Sequence, residues 1–157
     1  MKKQLLSLCL ILCFSWQNGL AQDPKHEFRA TWFTTVENID WPKTYIKNAS
    51  SRTQQQKELT DIFDKLVAGN MNAACMQVRS MCDAMYKSSY EPWSRALTDE
   101  RGKDPGYDPL AFAIEEAHKR GLELHIWVNP FRVTSEGTIS TDDLIWNYPV
   151  STNIYPF

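Results

Sequence analysis

Three acidic side chains of this sequence stand where acid–base chemistry is possible: Asp40, Asp83 and Glu91. Each follows a segment typical of a β-strand, and a carboxyl group at such a position can act as a general acid or base or bind a polar ligand. Each also has a structural alternative. Asp40 can cap the turn that follows it, whereas Asp83 and Glu91 can stay solvated or pair with Arg79 or Arg95.

Arg79 and Asn129 end the second and third of these strand-like segments. A guanidinium group at a strand end can bind a carboxylate through two parallel hydrogen bonds or lower the pKa of a neighbouring acid. The Asn129 amide can both donate to and accept from a polar ligand, although Asn129 followed by Pro130 also favours a simple turn. Binding and structural roles remain open for both residues.

No second set of catalytic or metal-binding residues is visible in the sequence. His118 falls in a predicted helix and His125 inside a predicted strand, a spacing that no zinc motif uses, and we expect His125 to be a hydrogen-bonded core residue. Cys75 and Cys82 are too far apart along an extended strand for a disulfide and are expected to be free thiols. There is no phosphate-binding loop or serine nucleophile motif, so the sequence predicts neither a metal nor a cofactor.

Three predicted strands must position these residues. They cover 28–36, 73–78 and 122–128 and are rich in β-branched, aromatic and apolar residues. Pro42 and Pro130 lie beyond the first and third strands, where proline cannot continue a ladder.

Two predicted helices alternate with the strands. The first covers 53–66 with an apolar stripe at helical spacing, a capping box of Thr53 and Gln56, and a stop at Gly69 and Asn70. The second begins with Asp108 as its cap and Pro109 in its first turn, and Gly121 ends it.

The order strand, helix, strand, helix, strand predicts an α/β fold with a parallel sheet. The connections after the strands, 37–52, 79–107 and 129 onward, are long and aromatic, whereas those before the second and third strands are tight. Because ligands of parallel α/β folds bind at the carboxyl ends of the strands, the long connections mark the predicted ligand face.

The balance of 17 basic against 19 acidic side chains offers no basic surface for nucleic acid. The N-terminus has the pattern of a secretory signal peptide: Lys2 and Lys3, then the apolar run 5–16, then the small residues Gly19 and Ala21 at the cleavage site. The apolar run is too short to span a bilayer. Cleavage after Ala21 leaves one domain, 22–157, with no integral membrane segment. We therefore expect an exported protein, periplasmic or extracellular. A lipid anchor at Cys13 is less favoured because no small residue precedes it.

Several short motifs in order resemble the N-terminal part of the glycosyl hydrolase-like 10 family. They run from Glu27 to Arg132 and include Gln77-Val-Arg-Ser80, Glu91-Pro-Trp-Ser94 and Leu124-His-Ile-Trp-Val-Asn-Pro-Phe-Arg132. The resemblance implies a (β/α)8 barrel that is exported in bacteria and acts on cell-envelope glycans such as peptidoglycan. Because such barrels need roughly 250 residues, we expect the first three β/α units of a truncated barrel.

The resemblance also assigns expected roles to the residues above. Glycoside hydrolysis usually needs two carboxyl groups beside the scissile bond. The acidic motif of the family's fourth strand would lie beyond Phe157, so we expect this fragment to lack the main catalytic acids and to be inactive alone, which leaves Asp40, Asp83 and Glu91 as the catalytic candidates among the residues present. Aromatic rings can stack on sugars; Trp93 is favoured for this role, whereas Trp32 and Trp127 are expected in the core. The predicted polysaccharide-binding residues are Asn38, Asp40, Trp41, Arg79, Tyr86, Trp93, Asn129 and Arg132. The alternative is a non-catalytic carbohydrate-binding module or degenerate remnant.

Overall fold

The computed structural model describes residues 27–132. Strand β1 (Ala30–Phe33) is followed by a short 3-10 helix (Val36–Asn38) and by helix α1 (Ala49–Ala68). Strand β2 (Ala73–Arg79), the four-residue helix α2 (Arg95–Thr98), helix α3 (Pro109–Lys119) and strand β3 (Glu123–Val128) complete the order. The predicted signal peptide and residues 133–157 lie outside the described part of the chain.

The three strands form a parallel sheet in the order β1-β2-β3. Trp32 of β1 lies opposite Cys75 of β2, which lies opposite His125 of β3. The predicted mixed α/β fold with a parallel sheet is therefore confirmed for these residues. All three strands point the same way, so their carboxyl ends meet at one edge.

Helices α1 and α3 cover one face of this sheet. Leu59 and Phe63 of α1 have no exposed surface and pack in one cluster with Met76 and Val78 of β2 and Ala113 of α3. Burial of a large apolar side chain contributes about 1.5–3 kcal/mol. Successive side chains of a strand point to opposite faces, so Cys75 and Gln77 of β2 point away from the helices.

Helix α1 begins four residues earlier than the sequence predicts. The Asn48 side chain accepts from the Ser51 backbone N–H at 2.9 Å, and Ser51 Oγ accepts from the Asn48 N–H at 2.9 Å. This reciprocal pair is the capping box, so the prediction that Thr53 and Gln56 form it is wrong. At the other end, Asn70 adopts the predicted left-handed conformation (φ 57°).

Helix α3 has the predicted boundaries. The Asp108 side chain accepts from the Ala111 N–H at 2.9 Å, Pro109 occupies the first turn, and Gly121 has a left-handed φ of 71°. Within residues 27–132, no helix is long and apolar enough to cross a membrane.

The second face of the sheet, here called the helix-free face, bears Trp32, Cys75, Gln77, His125 and Trp127. Trp32 is 66% exposed, with its ring 5.4 Å from that of half-buried Trp127. His125 is also exposed, hydrogen-bonded to Glu123. The expectation that Trp32, Trp127 and His125 are core residues is therefore wrong here, because the helices pack on the other face only.

Candidate functional site

The carboxyl ends of β2 and β3 carry a group of hydrogen-bonded polar residues, here called the strand-end cluster: Arg79, Tyr86, Glu91 and Asn129. Arg79 ends β2, Asn129 follows β3, and the other two residues belong to the long connection between β2 and α3. The parallel sheet brings these positions together as predicted.

An ion pair between Arg79 and Glu91 lies at the centre of the cluster. Arg79 Nε donates to Glu91 Oε1 at 2.5 Å, and both side chains are 13% exposed. Desolvation alone would lower the pKa of the Arg79 guanidinium, but the hydrogen bond and charge of Glu91 outweigh it and raise that pKa. Of the alternatives that the sequence left open for Glu91, the structure shows pairing with Arg79.

Arg79 also reaches the end of β3. Its Nη1 donates to the Asn129 carbonyl at 2.5 Å, while Nη2 contacts the weak acceptor Cys82 Sγ at 3.5 Å. A guanidinium group has five N–H donors, and two of them have no partner among residues 27–132. Burial and the nearby Glu91 raise the pKa of the Tyr86 hydroxyl, which lies 3.5 Å from Glu91 Oε2.

The Asn129 side chain joins the two strand ends. Its Oδ1 accepts from the Trp127 ring N–H at 2.8 Å, and its Nδ2 donates to the Ser80 carbonyl at 3.2 Å. One N–H and one lone pair of the amide have no partner in the described part of the chain. Between Gln77 and Arg79 the β2–β3 register shifts, an irregularity that can redirect side chains beside active sites.

The aromatic side chains of the long connection form a shallow cavity beside the cluster. Its volume is about 180 Å³, and its lining includes Tyr90, Glu91 and Trp93, with Ser88, Ser89, Pro92 and Gly102 completing the wall. Trp93 is half-buried and Tyr90 is 82% exposed. Backbone bonds of Ala84 to Pro92 and Ser94 (2.9 Å each) order this connection.

Asp83 takes neither of the roles that the sequence left open. It is 4% exposed, and its Oδ1 accepts from the backbone N–H groups of Ser80 (3.0 Å) and Met81 (2.8 Å). Ser80 Oγ lies 3.0 Å from the same oxygen. The carboxylate closes the turn after β2, so the expectation of solvation or of pairing with Arg79 or Arg95 is wrong.

The predicted residues after β1 lie in a separate group. Asn38 Nδ2 donates to the carbonyls of Pro42 (2.6 Å) and Ala96 (2.9 Å). Exposed Asp40 accepts from the Thr34 N–H at 2.8 Å through Oδ2, and its Oδ1 has no partner within the described segment. No hydrogen bond or ion pair joins this group directly to the strand-end cluster.

The prediction that Trp41 binds polysaccharide is wrong. It has no exposed surface, and its ring N–H donates to the Gln55 carbonyl at 3.0 Å. Its indole therefore belongs to the hydrophobic core, beneath the connection between β1 and α1. Arg132 is exposed and makes no hydrogen bond or ion pair with residues 27–131.

Sequence reasoning missed Gln77, a buried amide in β2. Its Oε1 accepts from Thr34 Oγ (2.6 Å) and from the N–H groups of Thr35 (3.0 Å) and Val36 (2.9 Å). These bonds replace ladder pairing after Phe33, which explains why β1 is shorter than the predicted strand 28–36. The available signal was one polar residue inside the apolar run 73–78.

The described residues hold no group of three potential metal ligands. Cys75 and Cys82 are free thiols, as predicted.

This fold and site define a class: a parallel α/β domain with polar and aromatic groups at its strand ends, the location where such folds bind ligands. The family model of glycosyl hydrolase-like 10 matches residues 27–154. The chain belongs to the glycosyl hydrolase-like 10 family, which confirms the resemblance seen in its motifs.

Two curated relatives match most of this chain. Glycosyl hydrolase YngK of Bacillus subtilis (strain 168) is 49% identical over 112 residues, which are 71% of this chain and 21% of that protein. Glycosyl hydrolase DigH of Escherichia coli (strain K12) is 40% identical over 125 residues, 75% of this chain and 28% of that protein. The chain is thus a glycoside hydrolase-like protein that spans less than a third of either relative.

Proposed function

We propose that this chain supplies glycan-binding residues to an exported glycoside hydrolase-like protein that acts on a cell-envelope polysaccharide, with peptidoglycan as the first candidate. One observation carries the proposal. The strand-end cluster, with unused donors on Arg79 and Asn129, lies beside the cavity lined by Trp93.

The two halves of this site suit the two sides of a sugar. The apolar face of a pyranose packs on an aromatic ring, the part proposed for Trp93 with Tyr90 beside it. The hydroxyl groups need donors and acceptors, which Arg79, Asn129 and Asp40 supply. A substrate carboxylate would favour the free guanidinium N–H groups of Arg79.

A non-catalytic glycan-binding role is the second candidate, and the carboxyl groups favour it. Glu91 is ion-paired with Arg79, and Asp83 accepts three hydrogen bonds inside a turn. A general acid or base must lie within hydrogen-bond reach of the substrate, and these partners hold both carboxyl groups on the protein itself. Residues 27–132 therefore favour binding over bond cleavage.

The barrel and the export route belong to the same proposal. Strands β1 to β3 with α1 and α3 are compatible with the first three units of a (β/α)8 barrel, which the family resemblance implies. The lysine pair and the apolar run at the N-terminus support export. Recovery of the protein from the periplasm or medium with Gln22 as its first residue would test the proposed cleavage after Ala21.

Co-sedimentation with purified peptidoglycan tests glycan binding, with cellulose as a control. We expect the Trp93→Ala variant to bind about tenfold more weakly, equivalent to ~1.4 kcal/mol. The matched control Trp32→Ala removes an indole from the helix-free face and should bind within about twofold of the wild type. If the wild-type chain does not bind peptidoglycan more strongly than the cellulose control, the proposal is refuted.

Release of reducing ends from peptidoglycan separates the two candidates. The binding role predicts none above the background of a boiled sample. If the wild-type chain releases reducing ends and the Glu91→Gln variant does not, hydrolysis is assigned to this chain.

A further inference from the structure

We propose that Gln77 is a positioning residue for glycan binding: its side-chain oxygen holds the turn after β1 in the conformation that presents the Asp40 carboxylate. The inference rests on the proposed function above and adds a residue and a physical role to it.

The buried amide makes a dense set of contacts with this turn. Gln77 has no exposed surface, and its Oε1 accepts from Thr34 Oγ, Thr35 N–H and Val36 N–H at 2.6–3.0 Å. Thr35 Oγ adds a bond to the Gln77 carbonyl at 3.2 Å. Because backbone N–H groups only donate, these contacts identify the inward atom as the oxygen.

The turn needs such support because its backbone is strained. Glu37 (φ 51°) and Asn38 (φ 54°) are consecutive non-glycine residues in the left-handed region. Residues persist there only when their surroundings hold them, and they occur preferentially at functional sites. The Gln77 bonds hold the chain immediately before these two residues.

The held turn carries the exposed Asp40 carboxylate at the edge of the sheet. The Thr34 N–H donates to Asp40 Oδ2 at 2.8 Å. Thr34 is therefore held by Gln77 through the Thr34 hydroxyl and orients Asp40 through the Thr34 backbone N–H. Asp40 Oδ1 stays open to a sugar hydroxyl.

The nitrogen atom of the Gln77 amide indicates that this side chain does more than fill space in the core. Gln77 Nε2 is buried without a hydrogen-bond partner in the described segment, an arrangement that costs stability. An apolar side chain in this apolar strand would avoid that cost but would lose the bonds to the turn.

A double-mutant cycle with purified peptidoglycan as the probe tests the inference. We expect Asp40→Asn to weaken binding about tenfold in the wild-type background, as loss of a charge-assisted hydrogen bond does. In the Gln77→Met background the same change should cost less than about twofold. Gln77→Glu keeps an acceptor oxygen and should restore the full effect of Asp40→Asn.

Gln55→Met is the matched control. Gln55 is also a fully buried amide, but it bonds the Thr44 and Leu97 carbonyls instead of the β1 turn, so the Asp40→Asn effect should persist there. If Gln77→Met does not fold, Thr34→Ala removes the 2.6 Å bond from a half-buried residue and should give an intermediate coupling.

An Asp40→Asn effect of equal size with and without Gln77 overturns the inference, as does a Gln77→Glu variant that behaves like Gln77→Met. Absence of wild-type binding would instead refute the proposed function on which the inference rests.

Discussion

Substitution of Glu91 by glutamine tests how the strand-end cluster is held together. The change keeps the size of the side chain and an oxygen that can accept from Arg79 Nε, but it removes the negative charge. Arg79 then keeps its bond to the Asn129 carbonyl while its positive charge, 13% exposed, loses its partner.

The structure sets the expected size of the effect. Removal of one partner from a buried ion pair costs about 3–5 kcal/mol. Two features reduce that figure: glutamine still accepts a hydrogen bond, and the remaining exposure lets water reach the guanidinium group. We therefore expect the free energy of unfolding to fall by about 2 kcal/mol.

Urea unfolding followed by tryptophan fluorescence measures this loss. With a slope of ~1.5 kcal/mol per molar urea, the midpoint should fall by about 1.3 M. Glu100→Gln is the matched control, because Glu100 pairs with Lys103 at 3.0 Å between side chains that are 67% and 53% exposed, and it should change stability by less than about 1 kcal/mol. Equal effects of the two substitutions would refute the reasoning that burial makes the Arg79–Glu91 pair important.

Three further predictions concern the framework of the site. Asn48→Ala removes the cap of α1 and should lower stability by about 1 kcal/mol in the same assay, whereas Ser50→Ala at the exposed neighbouring position should not. Hydrogen bonds from Lys119 and Arg120 lower the pKa of Glu116, so its stabilisation relative to Glu116→Gln should be present at neutral pH and disappear as the pH falls through this depressed pKa; a constant difference between pH 7 and 3 would contradict this. The helix-free face exposes Trp32 and should cause concentration-dependent self-association in sedimentation experiments that Trp32→Lys weakens; a monomer at every concentration would contradict it.

Elements with local signals were predictable from the sequence. The Asp108 cap, Pro109 and Gly121 define α3 by signals at its two ends, and the apolar run after Asn70 defines β2. The start of α1 was missed although its signal is also local, since Asn48 and Ser51 have the spacing of a capping box. A second spacing of the same kind, Thr53 with Gln56, was chosen instead.

The site was predictable in composition but not in its contacts. Arg79 and Asn129 each follow a predicted strand, and the carboxyl ends of parallel strands meet at one edge of a sheet. The two residues were therefore expected at the same edge, and the structure places them there. Pairing of Glu91 with Arg79 was one of several alternatives, because the two residues are twelve positions apart along a loop. Gln77 gave only the faint signal of an amide in an apolar strand.

The sequence by itself determined the alternation of strands and helices, the parallel sheet that follows from it, and the family to which the chain belongs. These depend on periodicity, caps and motifs, which act over a few residues. Only the tertiary structure decided that Trp41 is buried, that Trp32 is exposed and that Asp83 closes a turn. Burial and pairing depend on which distant segments cover a side chain, and that choice is made by packing of the whole domain and not by the neighbours of a residue along the chain.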